Sequence, residues 1–206
     1  MQKLQLQNNT KALVIVAHPD DETIWMGGTI MKHQKIDWTI FSLCRSSDLD
    51  RAPKFKKVCT HLNSRAIITD LDDEDSISFA QSLKDIKQII SQEIGKQEFD
   101  YIFTHGINGE YGHPRHIGTH TVVKQLIQQK KLLCHFAFFF NYCKISKKEF
   151  AQLRIKADTQ YSIKLSKQEY QAKRNIMSEI YGFNPNGIDT NYCTKEEGFK
   201  KIKGNL

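Results

Sequence analysis

Ala12-Leu13-Val14-Ile15-Val16-Ala17 is an unbroken apolar run rich in β-branched residues, without the alternation of a half-exposed strand. Such a run fits a strand covered on both faces, as in a parallel sheet. From Asp20 to Lys32 the apolar positions Ile24, Trp25, Met26, Ile30 and Met31 fall at helical spacing, entered through His18-Pro19. The two stretches predict a βα unit. The alternation continues with strands at Trp38–Leu43, Ala66–Ile68, Tyr101–Phe103 and Phe136–Phe140, and helices at Pro53–Leu62, Ser82–Ile94 and Ile117–Gln129. This pattern predicts an α/β fold: a Rossmann-like, doubly wound, mainly parallel sheet with helices on both faces. Ligands on such sheets bind at the carboxyl ends of the strands, so chemistry is expected in the loops after Ala17, Leu43, Ile68 and Phe103. Gly27-Gly28 inside the first helix predicts close packing there rather than phosphate binding.

With 206 residues, no repeat and no Pro/Gly/Ser-rich linker, the expected organisation is one domain over 1–206, the last third (144–206) being part of it or appended to it. The longest apolar stretch, Leu132 to Phe140, falls far short of the ~20 residues of a membrane helix. No transmembrane segment is expected, and the N-terminal residues lack the apolar core of a signal peptide, which predicts a cytoplasmic protein. The five cysteines are scattered and never form C-x-x-C, which disfavours both a disulfide framework and a thiolate zinc site. The net charge of +7 is uneven, since residues 144–206 hold 13 Lys/Arg against 7 Asp/Glu. A basic face can attract anions, but Lys-rich ends are more often plain solvated surface, and nucleic acid is not an expected partner.

After the first strand comes His18-Pro19-Asp20-Asp21-Glu22, where a dinucleotide-binding unit would have a glycine-rich turn. Three carboxylates repel phosphate, and with His18 they suit a divalent cation. The blander alternative is that they only cap the helix, for which one or two acids would do. After the fourth strand, Thr104 to His116 contains three glycines and Asn108, and then Pro114 starts a helix with His113 at its cap and His116 in its first turn. Two imidazoles and a carboxylate with an open position make a hydrolytic metal site. His120 lacks the neighbouring Glu of a metalloprotease helix and is expected at the surface or behind the ligands. The acidic run Asp70 to Asp75 lacks the Gly and Glu of a calcium-binding loop and is expected as a solvated rim. His105 and Cys44 have no partner that the sequence can place.

Ala17-His18-Pro19-Asp20-Asp21-Glu22 followed by Gly109-Glu110-Tyr111-Gly112-His113-Pro114-Arg115-His116 resembles the zinc-dependent de-N-acetylases of the PIG-L or LmbE-like family. The resemblance spans at least residues 12–120, and Leu43 to Phe55 with Leu71-Asp72-Asp73 is similar to bacterial members. It implies that His18, Asp21 and His116 bind zinc (Zn²⁺, or another divalent metal such as Fe²⁺) and that Asp20 is the general base. His113 would polarise the amide or hold the oxyanion, and Arg51, Tyr111 and Asn108 are the candidates for substrate contact. The chain departs from the pattern at Arg115, where many members have Asp beside the last histidine.

The implied function is hydrolysis of an N-acyl, usually N-acetyl, group on an amino sugar or glycoside. Arg51 and the basic last third favour an anionic glycoside, because an arginine forks well onto phosphate or carboxylate. The alternative is a non-catalytic glycan- or anion-binding module on the same fold, for which a lost ligand or base would be expected. None of the four is lost. The sugar, the acyl group and the oligomeric state, a homo-oligomer included, stay open at this stage.

Overall fold

A computed structural model describes residues 1–74, 76–145 and 152–202. The five expected strands are β2 (Lys11–Val16), β3 (Asp37–Ser42), β4 (Ser64–Ile68), β5 (Glu98–Thr104) and β6 (Leu133–Phe140). They run parallel in the order β4-β3-β2-β5-β6. The crossover helices are α1 (Asp21–Lys32), α2 (Arg51–His61), α3 (Phe79–Ile94) and α5 (Pro114–Gln128), with the short α4 (Gly109–Gly112) ahead of α5. The strand order reverses between β2 and β5, and the crevice at such a reversal is where this class of sheet binds ligands.

β2 shows why its sequence is a continuous apolar run. Ala12, Val14 and Val16 pack with Ile24 and Trp25 of α1 and Phe55 and Val58 of α2. Leu13 and Ile15 pack with Ile86 and Ile90 of α3 and Val122, Val123 and Leu126 of α5. Successive side chains alternate between two faces, and both faces are covered.

The sheet extends beyond the expected strands. β9 (Tyr161–Lys164) and β10 (Glu196–Lys201) are antiparallel to each other, β10 pairs antiparallel with β6, and the two-residue β1 (Gln2–Lys3) pairs parallel with β9 at the edge. The last third therefore supplies strands to the main sheet. A separate two-stranded ribbon joins β7 (Tyr142–Lys144) and β8 (Leu153–Ile155). Between β9 and β10 lie α6 (Lys167–Asn175), a π-helical turn (Ile176–Ile180) and α7 (Ile188–Tyr192). Part of the basic third, residues 146–151 and 203–206, lies outside the described residues, as does Asp75 of the acidic run.

One polar group of the last strand reaches deep into the first crossover. Helix α1 breaks at Met26, whose φ of −149° is not helical. A break frees backbone groups that must find other partners. Trp25 O accepts from the Tyr142 hydroxyl at 2.6 Å, while Gly28 N and Thr29 N donate to Glu197 at 2.8 and 2.7 Å. Glu197 also accepts from Lys173 Nζ at 2.6 Å, and both side chains are fully buried. Packing at Gly28 is close, since a Cβ there would meet Leu165 Cδ2 at 2.4 Å and Leu165 would have to move to admit it.

Candidate active site

The two loops singled out by the sequence meet at the switch point. Ala17 N donates to His105 Nε2 at 2.9 Å and the Thr104 hydroxyl donates to Ile15 O at 2.8 Å, so the ends of β2 and β5 are tied together. His18 and Asp21 come from the β2–α1 corner, and His116 from the first turn of α5. Their donor atoms form a nearly equilateral triangle: His18 Nδ1 to Asp21 Oδ2 is 3.2 Å, His116 Nε2 to Asp21 Oδ2 is 3.3 Å, and His116 Nε2 to His18 Nδ1 is 3.2 Å. A tetrahedral ion with bonds of ~2.0–2.2 Å holds its ligand atoms ~3.3–3.6 Å apart, so the triangle fits a divalent metal with little adjustment.

The far atom of each member is fixed by another side chain. Trp25 Nε1–H donates to Asp21 Oδ1 at 2.8 Å, His116 Nδ1 lies 2.7 Å from Glu110 Oε2, and His18 Nε2 lies 2.8 Å from Asp73 Oδ1. A carboxylate beside one ring nitrogen puts the proton there and leaves the lone pair on the other, which faces the triangle in both histidines. His105 stacks on His116 with ring centroids 3.9 Å apart. Its own Nε2 accepts from Ala17 N–H, so it is not available as a ligand. Its Nδ1 lies 2.9 Å from the same Glu110 oxygen, and Glu110 Oε1 accepts from Gly106 N at 2.6 Å. Glu110 is thus the buried hub under the triangle, and it has a positive φ of 56°. Burial opposes its ionisation, but His105 and His116 hold its carboxyl down to about 2.

Asp20 stands outside the triangle. It has the unusual φ of 129° and makes no side-chain cap bond with α1, so the carboxylates of this corner do not merely cap the helix. Such strain persists only when surroundings enforce it, and its N–H donates to Glu22 Oε2 at 3.0 Å while its carbonyl accepts from Thr23 N and Ile24 N. Burial, and after it the Asp21 carboxylate, pushes Asp20 well above the ordinary range, against the pull of His18 and Arg51. Asp21 behaves oppositely: burial disfavours its charge, but His116 and His105 hold it well below that range. The two adjacent aspartates are therefore electrostatically unlike. His113 caps α5, with Nδ1 accepting from Arg115 N at 3.2 Å. Burial, then His116 and His18, pushes its imidazole down to about 4.

A cavity of about 260 Å³ opens over the triangle, lined among others by Asp20, Arg51, Tyr111, His113, Asp189 and Tyr192. Arg51 Nη1 lies 3.3 Å from Asp20 Oδ2, and the guanidinium sits 4.2 Å from the Phe183 ring centre. Asn108 does not line this cavity: its amide donates to Glu110 O and Tyr142 O and accepts from Lys156 Nζ, bracing the loop. The Arg115 side chain is buried and donates to the carbonyl and carboxylate of Asp72 in the acidic run. That run is therefore more than a solvated rim, because Asp73 also binds His18 and Arg45. His120 is buried behind His105, its Nδ1 2.9 Å from the His105 carbonyl. Sequence reasoning missed Glu110 and His105. The usable signal was a lone acid among glycines and a histidine one residue past a strand end.

Fold and site together define a doubly wound α/β protein with a buried histidine–carboxylate cluster fit for a divalent metal. The family model for GlcNAc-PI de-N-acetylase, PIG-L, matches residues 13–127, and the chain belongs to that family. Solved structures of similar fold include a deacetylase of the teicoplanin biosynthesis pathway, with TM-score 0.61 and 12% identity over 95% of this chain and 100% of that one. A conserved protein of Thermus thermophilus gives TM-score 0.62 and 16% identity over 97% of each chain. The 4-carboxy-2-hydroxymuconate hydratase GalB of Pseudomonas putida gives 0.58 and 14% over 96% and 98%. At these identities the likeness is one of fold.

Proposed function

We propose that the protein is a metal-dependent hydrolase that removes an N-acyl, foremost an N-acetyl, group from an amino sugar or its glycoside. The observation that carries this reading is the triangle of His18, Asp21 and His116 donor atoms at 3.2–3.3 Å with Asp20 beside it and outside it. Zinc, or another divalent metal such as Fe²⁺, held by these three would supply Lewis acidity and lower the pKa of water. Asp20 is the general base: its raised pKa suits a group that takes a proton from water as the water oxygen bonds to the amide carbon. His113 is neutral at pH 7, and with Nδ1 occupied by Arg115 N–H its proton sits on Nε2, from which it donates to the oxyanion. Asp20 then returns its proton to the nitrogen as the C–N bond breaks, giving a carboxylate and an amine. Tyr111 and Arg51 border the cavity where the sugar would lie.

This activity is assigned to a single cytoplasmic domain over 1–206, a reading supported by the strands that the last third adds to the sheet and by free cysteines throughout. No helix of the described residues is long and apolar enough to cross a membrane. The rival reading, a non-catalytic anion- or glycan-binding module with a basic face, gains nothing from a cavity whose lining includes four aspartates. Metal analysis of the purified protein together with an amine-release assay over N-acetylated sugars tests the proposal. One equivalent of divalent metal and metal-dependent amine release are expected. A metal-free protein, or a metal-bound one that releases no amine from any sugar amide, would overturn it.

A further inference from the structure

Four carboxylates line the cavity, those of Asp20, Asp21, Asp73 and Asp189, against two arginines, Arg45 and Arg51. Three of the carboxylates are already engaged. Asp20 faces Arg51, Asp21 belongs to the triangle, and Asp73 holds His18 and Arg45, the latter at 2.7 Å. Both arginines are thereby spoken for. The carboxylate of Asp189 is different: among the described residues no hydrogen bond or ion pair engages it, yet it is half-buried and faces the same cavity.

Asp189 sits on α7, outside the stretch matched by the family model. α7 is held in place by Arg174, which donates to Thr190 O at 2.8 Å and to Asn191 Oδ1 at 3.3 Å, and by the Thr190 hydroxyl on Asn184 O at 2.9 Å. On the same short helix, Tyr192 packs its ring 5.2 Å from Tyr111 and 6.4 Å from Trp25, the latter nearly parallel. Asp189 and Tyr192 stand three residues apart on α7, so they share a face of it, and both line the cavity. A wall with an aromatic surface and an unpaired carboxylate beside it matches the two kinds of surface a sugar presents, its apolar C–H face and its hydroxyl donors. The cavity is near the lower end of the ~300–1,000 Å³ typical of small-molecule sites, which is room for a single ring.

Resting on the deacetylase reading, we propose that Asp189 and Tyr192 form the specificity wall of this cavity, and that they select an uncharged, hydroxyl-rich amino sugar over an anionic one. Asp189 accepts hydrogen bonds from ring hydroxyls, and Tyr192, backed by the buried Trp25, carries the sugar face together with Tyr111. An anionic group brought to this wall meets an uncompensated carboxylate, while the lining arginines Arg45 and Arg51 already face Asp73 and Asp20.

The test uses the metal-loaded full chain, wild type and the variants Asp189→Asn, Asp189→Ala and Tyr192→Ala, with N-acetylglucosamine and N-acetylglucosamine 6-phosphate as substrates. Binding of N-acetylglucosamine to the metal-stripped chain is followed in parallel by saturation-transfer NMR. In the wild type the neutral sugar is the better substrate. Asp189→Ala should raise KM for it by about ten- to a hundredfold, the scale of hydrogen bonds to a charged group, with most of the loss in KM rather than kcat. Asp189→Asn, which keeps the shape, should narrow the preference for the neutral over the phosphorylated sugar. An unchanged KM and an unchanged preference in both Asp189 variants would overturn the wall while leaving the deacetylase intact, as would a wild type that prefers the phosphorylated sugar. Sugar binding that depends on Asp189 without any amine release would support the wall and sink the deacetylase reading. Neither turnover nor binding in the wild type would overturn both.

Discussion

Replacing Arg51 by Ala tests whether the general base is tuned by its neighbour. The Arg51 guanidinium lies 3.3 Å from Asp20 Oδ2, with side chains 28% and 16% exposed. In the proposed mechanism Asp20 acts as a carboxylate, so activity should fall as pH drops through its raised pKa, and removing a cation that favours the charged form should move that fall to higher pH. Two unit charges at this range are worth ~1 kcal/mol in a water-like medium and ~4 kcal/mol at an effective dielectric constant near 20. The partial exposure of this pair argues for the low end, about 1 kcal/mol. At 1.36 kcal/mol per pKa unit, the acid limb of kcat/KM should move up by about half to one unit in Arg51→Ala. Arg51→Lys should move it less. The shift should shrink at high salt, because the pair is open to counterions. The measurement is a kcat/KM profile on N-acetylglucosamine for wild type and both variants, with metal content checked at each pH so that metal loss is not read as protonation of Asp20. An acid limb that stays put in Arg51→Ala while kcat falls would refute the reasoning and make Arg51 a substrate contact only.

Three further outcomes follow from the site and its supports. Asp20→Asn should keep the metal and lose ~10²–10⁴ in rate, as loss of a general base does; loss of the metal would instead make Asp20 a ligand. Glu110→Gln should weaken metal binding by ~10–100-fold in a chelator competition, since it frees His116 and His105 from their shared carboxylate, and unchanged affinity would remove Glu110 from the support of the site. Glu197→Ala should cost ~3–5 kcal/mol in urea unfolding, because it strands buried Lys173 and two backbone N–H groups of α1; a cost below ~1 kcal/mol would show that the pair is not what satisfies the break.

The parallel half of the sheet could be read from the sequence because strands covered on both faces must be apolar at nearly every position, as β2 is. β10 could not be read that way. Its sequence, Glu196-Glu197-Gly198-Phe199-Lys200-Lys201, looks like solvated surface, and Glu197 is buried only because Lys173 and the broken α1 supply its partners. Those partners lie far apart along the chain, so no local pattern announces them. The same holds at the site. His18, Asp20, Asp21, His113 and His116 sit in two compact motifs and were legible. His105 and Glu110 matter through each other and through Ala17 N–H, a relation that exists only once β2 and β5 are paired. Arg51 was legible as a residue facing the site, but its ties to Asp20 and Phe183 were not.

The break in α1 also ties the start of the fold to its last strand. Asp21 and Trp25 precede the break, and the groups that satisfy it, Tyr142 and Glu197, stand more than a hundred residues later in the chain. The final strand is what locks it. A chain ending before β10 would keep His18, Asp21 and His116 but lack Glu197, so Gly28 N, Thr29 N and Lys173 would lose the carboxylate they share.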